Sequence, residues 1–227
     1  RTLLDLMKEG TVKDDWVVEQ IPPGQLATLL HSVVDEESLA GIPAIRGGIT
    51  GAPGAAVGRV FFNADRLMEA HRDAIQKGED TRMVLVVTAS YAEDVKAIEV
   101  GQGVISAEGG YSSHAPVVSR SLGKVSIVHP DIRIGDRFFE YNGVRVNEGD
   151  YVTMDAPVYR DPTMYTGKAK LISPDIHTNG LTDFIEVVRR FIKDDFVVRA
   201  NADLGRDAKV ARTMGAFGIG LCRTEHM

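Results

Sequence analysis

The sequence predicts an α/β fold, and three features carry that expectation. Between residues 64 and 128, runs with apolar residues at three-to-four spacing alternate with short runs rich in Val, Leu and Ile, the pattern of helices laid between buried strands. The pair Asn142-Gly143 separates two strand-like segments, and both residues accept the positive φ angles of a type I′ hairpin turn. The stretch Gly109-Gly110-Tyr111-Ser112-Ser113-His114-Ala115-Pro116 follows the apolar run 103–106 and leads into a helix-like run closed by Gly123, so it reads as strand, glycine turn and helix start.

Composition fits this class. The chain has 227 residues, 44% of them hydrophobic and 26% charged, enough for a proper core in one or two domains. A net charge of −6 with no basic block argues against nucleic-acid binding. The lone cysteine, Cys222, excludes an internal disulfide framework and a Cys-rich metal site. No run of about 18 apolar residues occurs, so no membrane span is expected. The chain opens on Arg1 and stops at Met227 within a strand pattern, so a segment of a longer cytoplasmic protein is expected.

Residues 1–40 read as helical. Leu3, Leu4, Leu6 and Met7 cluster before Gly10, Thr11 with Asp14 resembles a capping box, and Val12, Trp16 and Val17 share a face. Pro22-Pro23 breaks that helix, and Pro23 suits the first turn of another carrying Leu26, Leu29 and Leu30, with His31 at its end. Glycines and prolines punctuate residues 41–58 ahead of a strand over 57–62, and neither the Walker nor the dinucleotide glycine pattern occurs. A helix is expected over 64–77, with Leu67, Ala70, His71, Ala74 and Ile75 inward and Gly78 past its end. A buried strand follows over 82–87. Ser90 then reads as the N-cap of a helix, with Glu93 three residues on and Val95 and Ile98 on its buried face; Glu93 and Asp94 suit a first helical turn.

Next come strand 104–105, the His114 loop, helix 115–122, strand 125–128, a turn at His129-Pro130, the hairpin from Arg137 to Val146, and a strand over 151–154. Beyond residue 180, a helix over 181–192 presents Phe184, Ile185, Val188 and Ile192. Strand 196–199, helix 206–214 and strand 218–221 then form a β-α-β unit.

Two residues stand out chemically. At or just before a helix start, His114 meets unpaired N–H groups and a positive dipole end that favour phosphate, and a neutral imidazole is a competent nucleophile. An ordinary helix-start residue is the plainer reading. Arg223 directly follows a strand, where a polar residue is placed for ligands, with a surface arginine as the alternative.

GGYSSHAPVVSRSLGK resembles the phosphohistidine signature of the phosphoenolpyruvate-utilising enzymes. Gly109, Gly110, Ser113, His114, Ala115, Arg120 and Gly123 match that pattern. Ser112 stands where the family has Thr, Pro116 where it has a second Ala, and Glu108 where its dikinase branch usually has Arg. A carboxylate at that position would repel phosphate. Residues 52–58 (APGAAVG) and 88–95 (TASYAEDV) are similar to further family elements, and GQLATLLHSVVD and GIGLCRTEHM resemble the dikinase branch in particular.

The resemblance implies a swivelling β/β/α phosphohistidine domain over 42–160, an N-terminal helical connector over 1–41, a linker and helix over 161–195, and over 196–227 the first β-α-β unit of a TIM barrel that binds phosphoenolpyruvate or pyruvate. Such a truncated barrel is expected to pack against another chain or further sequence. The implied activity is phosphotransfer, ATP + phosphate + pyruvate to AMP + pyrophosphate + phosphoenolpyruvate in a whole enzyme. His114 would be the carrier, Gly109, Gly110, Ser112 and Ser113 the phosphate loop, and Arg223 a substrate contact. Ser112 is also the implied site of regulatory phosphorylation. Mg2+ is implied with ligands outside these residues, as is a homo-oligomeric whole enzyme. A synthase-type carrier domain and a non-catalytic swivelling binding domain are the alternatives; Glu108 and Pro116 favour the latter.

Overall fold

The computed structural model describes residues 2–22, 26, 29–175, 180–193 and 196–222, with Arg206 described by its backbone alone. The chain forms two compact units, residues 1–30 with 175–227, and residues 31–174.

The first unit opens with two short helices, α1 (Thr2–Lys8) and α2 (Asp14–Gln20). The residue preceding α2 is Lys13, in extended backbone with no side-chain cap, so the Thr11–Asp14 capping box does not form. Val17 is buried and Val12 packs beside it, whereas Trp16 is 42% exposed and turns away from that face. The helix expected to open at Pro23 falls largely outside the described residues.

The second unit departs at once from the helical expectation for 31–40. Val33–Val34 (β1) pairs antiparallel with Leu171–Ile172, and Glu36–Leu39 is a 3-10 turn whose start is capped by the Asp35 carboxylate. A partner more than a hundred residues away overrides the local pattern here. Together with the pairing of Ala44–Arg46 (β2) to Thr163–Tyr165, this extends the compact unit to residues 31–174.

Its centre is an eight-stranded sheet. After β2 come β3 (Ile49–Ala52), β4 (Gly54–Phe61), β5 (Met83–Val87), β6 (Gly103–Ser106) and β7 (Val125–Val128). Strands β4, β5, β6 and β7 run parallel in that order, and β3 closes one edge antiparallel to β7. The crossovers are helices α3 (Ala64–Lys77), α4 (Val95–Val100) and α5 (His114–Leu122), as parallel pairing requires. Leu67, Leu85, Ile98, Val104 and Ala115 form the core between these helices and the sheet. Asn63 caps α3 by accepting the N–H groups of Asp65 and Arg66, and Gly78 ends it at φ 67°. Ile75 is 59% exposed and not part of the inward stripe.

The other sheet face is covered by a three-stranded antiparallel sheet of β8 (Arg133–Ile134), β9 (Phe138–Tyr141) and β10 (Val144–Asn147). Phe139 and Val146 meet Val84, Val86, Ile105 and Ile127 in a second core. With both faces covered, the parallel strands can be apolar throughout, which is why their sequences read as continuous runs. The hairpin turn is as expected, with Asn142 at φ 48° and Gly143 at φ 80°. Strands β11 (Tyr151–Ala156) and β12 (Thr163–Tyr165) extend the large sheet beyond β4, toward β2; β13 is Leu171–Ile172, the partner of β1.

The turn expected at His129-Pro130 forms, the His129 carbonyl accepting the Ile132 N–H at 3.3 Å, but the His129 side chain lies inside the fold. It is 1% exposed, its ring lies edge-on to Tyr141 at 4.9 Å, and its Nε2 is 3.3 Å from the Arg46 carbonyl. Strand β7 delivers it into the core because its N–H bonds the Ser106 carbonyl at 2.8 Å, one step beyond the β6–β7 ladder.

In the first unit, α6 (Leu181–Arg189) buries Leu181, Phe184 and Val187; Phe184 and Val187 join Leu4 and Val17 in one core. This stripe is shifted from the expected one, since Val188 is partly buried and Ile185 is not among its buried members. Lys8 pairs with Asp183 at 3.0 Å and Arg190 with Asp14 at 2.6 Å. Strand β14 (Arg199–Ala200), helix α7 (Gly205–Thr213) and strand β15 (Gly218–Ile219) make a parallel β-α-β unit. Its strands are shorter than expected, and Phe196, Val198 and Phe217 are substantially exposed.

Candidate functional site

The residues singled out around His114 lie where β6 hands over to α5. The β5–β6 ladder continues past both strands: Ala107 N–H bonds the Val87 carbonyl at 3.1 Å and Glu108 N–H the Thr88 carbonyl at 2.7 Å. The chain then turns at Gly109, whose φ is +116°, a conformation that side chains disfavour. A Cβ there would also lie 2.4 Å from Ser113 Oγ. Ser113 closes the turn. Its hydroxyl donates to the Gly110 carbonyl at 2.7 Å and accepts the Gly110 N–H at 3.2 Å, while its own N–H bonds that carbonyl at 2.9 Å. Ser113 is therefore the N-cap residue of α5 by position, with its hydroxyl committed to the loop. Ser112 and Tyr111 are exposed.

His114 is the first residue of α5 and is half-buried. The helix-start dipole and the unpaired N–H groups of its first turn act at this position. Pro116 sits in the same turn, where its missing N–H leaves nothing unpaired. Its ring packs on Gly51, where a Cβ would come within 2.7 Å of Pro116 Cγ.

Arg120, one helical stretch later, braces the loop from below. Its guanidinium donates to the Gly51 carbonyl and, at 2.9 Å, to the Tyr111 carbonyl, and it lies 4.1 Å from the centroid of the Tyr111 ring. The glycine-rich turn at 51–54 and the histidine loop are thus held by one side chain.

A contact that sequence reasoning missed comes from the other side. Ser90 Oγ is 3.3 Å from His114 Nδ1. Ser90 is not a helix N-cap: the residue before the 3-10 turn Ala92–Asp94 is Tyr91, and its N–H bonds the Asp94 carboxylate at 2.8 Å. Asp94 thereby serves the turn start while Ser90 faces the histidine. Two sequence signals bore on it: Ser90 lies in the 88–95 stretch that resembles a family element, and it is a hydroxyl residue just past a parallel strand, where crevices of such sheets lie.

Beside this loop, at the C-terminal ends of β4, β5 and β6, is an open cleft of about 760 Å³. Asp65, Glu93, Glu108 and Asp136 line it with Tyr91 and Arg66. Arg66 is engaged by Asp136 at 3.3 Å and Glu148 at 3.1 Å. Carboxylates therefore dominate the cleft, which makes it a poor place for a phosphoryl group compared with the helix start at His114. Glu108, at the head of the loop, contributes to that acidic wall.

Arg223 lies outside the described residues. Among the described residues, no three His, Cys, Asp or Glu side chains come together as metal ligands. No helix among them is long and apolar enough to cross a membrane.

Comparison with known proteins supplies a frame for this geometry. Residues 79–157 match the family model described as PEP-utilising enzyme, mobile domain. Over its whole length the chain is 52% identical to the pyruvate, phosphate dikinase of Treponema pallidum (strain Nichols), covering 25% of that protein. It is 34% identical to the Clostridium symbiosum pyruvate, phosphate dikinase over 98% of this chain and 24% of the relative. It is 32% identical to a chloroplastic pyruvate, phosphate dikinase of Arabidopsis thaliana over 99% of this chain and 22% of the relative. The chain spans about a quarter of the length of the curated relatives it matches.

Proposed function

The chain belongs to the phosphoenolpyruvate-utilising enzymes, and from that premise we propose that it carries a phosphoryl group on His114 between a nucleotide site and a pyruvate or phosphoenolpyruvate site of a longer pyruvate, phosphate dikinase. The observation that carries this reading is the placement of His114 at the first position of α5, half-exposed, with Nδ1 against Ser90 and the glycine loop closed in front of it.

The chemistry follows from that placement. The Nε2 lone pair attacks the β-phosphorus of the nucleotide, the N–P bond forms and the P–O bond to AMP breaks with its electron pair; an oxygen of inorganic phosphate then attacks the terminal phosphorus, pyrophosphate departs, and one phosphoryl group stays on Nε2. At the second site the enolate oxygen of pyruvate attacks phosphorus, the N–P bond breaks, and the imidazole regains its lone pair. Between the two, the N-terminal end of α5 and the amides of Gly109 and Gly110 stabilise the phosphoryl charge. Ser112, exposed in the loop, adds its hydroxyl, whereas the Ser113 hydroxyl holds the loop shut. Two separated sites require the carrier to move, since transfer needs in-line contact at each. The segments either side of residues 31–174 are the candidate hinges. The β14–α7–β15 unit is, in this reading, the opening of the substrate barrel, with Arg223 as a bidentate clamp on phosphate or carboxylate. Phosphorylation of Ser112 would place like charge beside His114 and switch the carrier off.

The test is transfer to the polypeptide itself. The chain is mixed with a full-length dikinase lacking its carrier histidine, labelled phosphoenolpyruvate and magnesium, beside a His114→Ala control. Acid-labile, alkali-stable label on the native chain and none on the control is the expected result. No label, with a working carrier domain alongside, would instead favour a non-transferring binding domain, and Glu108→Arg would be the first change to make. Dependence of the reconstituted reaction on phosphate, with pyrophosphate as product, separates the dikinase reading from a synthase-type one.

A further inference from the structure

Ser90 touches the carrier histidine, yet it lies outside the motif that marks the loop. It is 9% exposed, and its hydroxyl oxygen is 3.3 Å from His114 Nδ1. The backbone on either side of it is fixed. Behind it, the Thr88 carbonyl accepts the Glu108 N–H at 2.7 Å, which ties this strand end to the head of the histidine loop. Ahead of it, the Tyr91 N–H bonds the Asp94 carboxylate at 2.8 Å and the Asp94 N–H returns to the Tyr91 carbonyl at 3.1 Å. Asp94 itself is 7% exposed. The serine is therefore presented to the imidazole by a braced turn that shares a frame with the loop.

We propose that Ser90 is a positioning residue: its hydroxyl accepts a hydrogen bond from Nδ1–H of His114, fixing the tautomer whose Nε2 bears the lone pair and directing the phosphoryl group to Nε2. A neutral imidazole has one donor and one acceptor nitrogen, and the partner at one decides the state of the other. A hydroxyl can play either role. Donation from Ser90 to Nδ1 would put the proton on Nε2 and block it as a nucleophile; acceptance frees it. The inference rests on His114 being the carrier, but the tautomer is readable without any phosphoryl transfer.

The experiment uses the full 227-residue chain labelled with 15N in its six histidines. Two-bond 1H–15N spectra are recorded above the imidazole pKa, and His114 is assigned by its loss in His114→Ala. The expected result is an unprotonated Nε2 in the native chain, a shift toward Nε2–H in Ser90→Ala, and the native pattern in Ser90→Thr. Labelling of Ser90→Ala from phosphoenolpyruvate should be about tenfold slower, the effect of one lost hydrogen bond. An Nε2–H tautomer in the native chain, or identical spectra for native and Ser90→Ala proteins of equal circular dichroism, overturns the proposal. A tautomer shift in a chain that takes no label supports the role of Ser90 and overturns only the carrier reading.

Discussion

At the scale of single residues, the two loop glycines are not equivalent. Gly109 combines φ +116° with a Cβ position only 2.4 Å from Ser113 Oγ, whereas around Gly110 a Cβ would meet nothing within 4 Å. Gly109→Ala should therefore open the Ser113 turn, displace His114 and cost about 1–3 kcal/mol, the range for a side chain forced into a sparsely populated backbone region. Gly110→Ala should leave the melting temperature near that of the native chain. Thermal melts of the two variants check this, and a melting temperature for Gly109→Ala as near the native one as that of Gly110→Ala would show that the turn tolerates a side chain at Gly109. The motif pattern marks both glycines alike; only the backbone geometry separates them. His129 makes the same point in reverse. The turn read at His129-Pro130 is present, and only the fold shows that it carries the ring inward, between Arg46 and Tyr141.

At the scale of elements, α5 does more than present His114. Its later turn carries Arg120, whose guanidinium reaches two backbone carbonyls, one in β3 and one in the histidine loop, and stacks on Tyr111. A lysine can donate to one such carbonyl but lacks the planar fork that spans both. Arg120→Lys should keep native circular dichroism, lower stability by about 1–2 kcal/mol, and slow labelling of His114, since charge-assisted bonds of this kind contribute in that range. Unchanged labelling would show that the loop holds its shape without the brace. The helices and strands around this site were legible because their apolar periods are unambiguous. The 3-10 turn at 36–39 and strand β1 were not, because both depend on Leu171–Ile172 for a partner.

At the scale of the whole molecule, a charge network secures the unit of residues 31–174 far from His114 in sequence. The Asp80 carboxylate accepts bonds from Arg82 at 2.6 Å, from the Tyr151 hydroxyl at 3.0 Å and from Lys168 at 3.0 Å, joining the segment before β5, strand β11 and the segment after β12. The Arg82 guanidinium, aided by Lys168 and Tyr151, holds Asp80 well below the usual carboxylate range. A carboxyl with a depressed folded-state pKa stabilises the fold above its unfolded value of about 4, and that stabilisation is lost as pH falls below it. Asp80→Asn should lower stability at pH 7 by about 1–2 kcal/mol at this partly exposed site and flatten the loss of melting temperature toward acid pH. Burial pushes the Asp155 carboxyl the other way against the pull of Arg160, so its contribution to the pH profile has the opposite sign. Melting curves from pH 7 to pH 3 distinguish the two, and an Asp80→Asn profile parallel to the native one would remove the network from the account.

The sequence by itself determined the α/β class, the hairpin at Asn142-Gly143 and the helix start at His114, because each is written in local period, turn chemistry or motif. Tertiary structure alone decided which strands are neighbours, where the compact units divide, and that Ser90 meets His114 across 24 residues. The physical reason is common to all three. Hydrogen-bond pairing between strands and contacts between loops depend on what the rest of the chain brings alongside, and no local pattern encodes the partner.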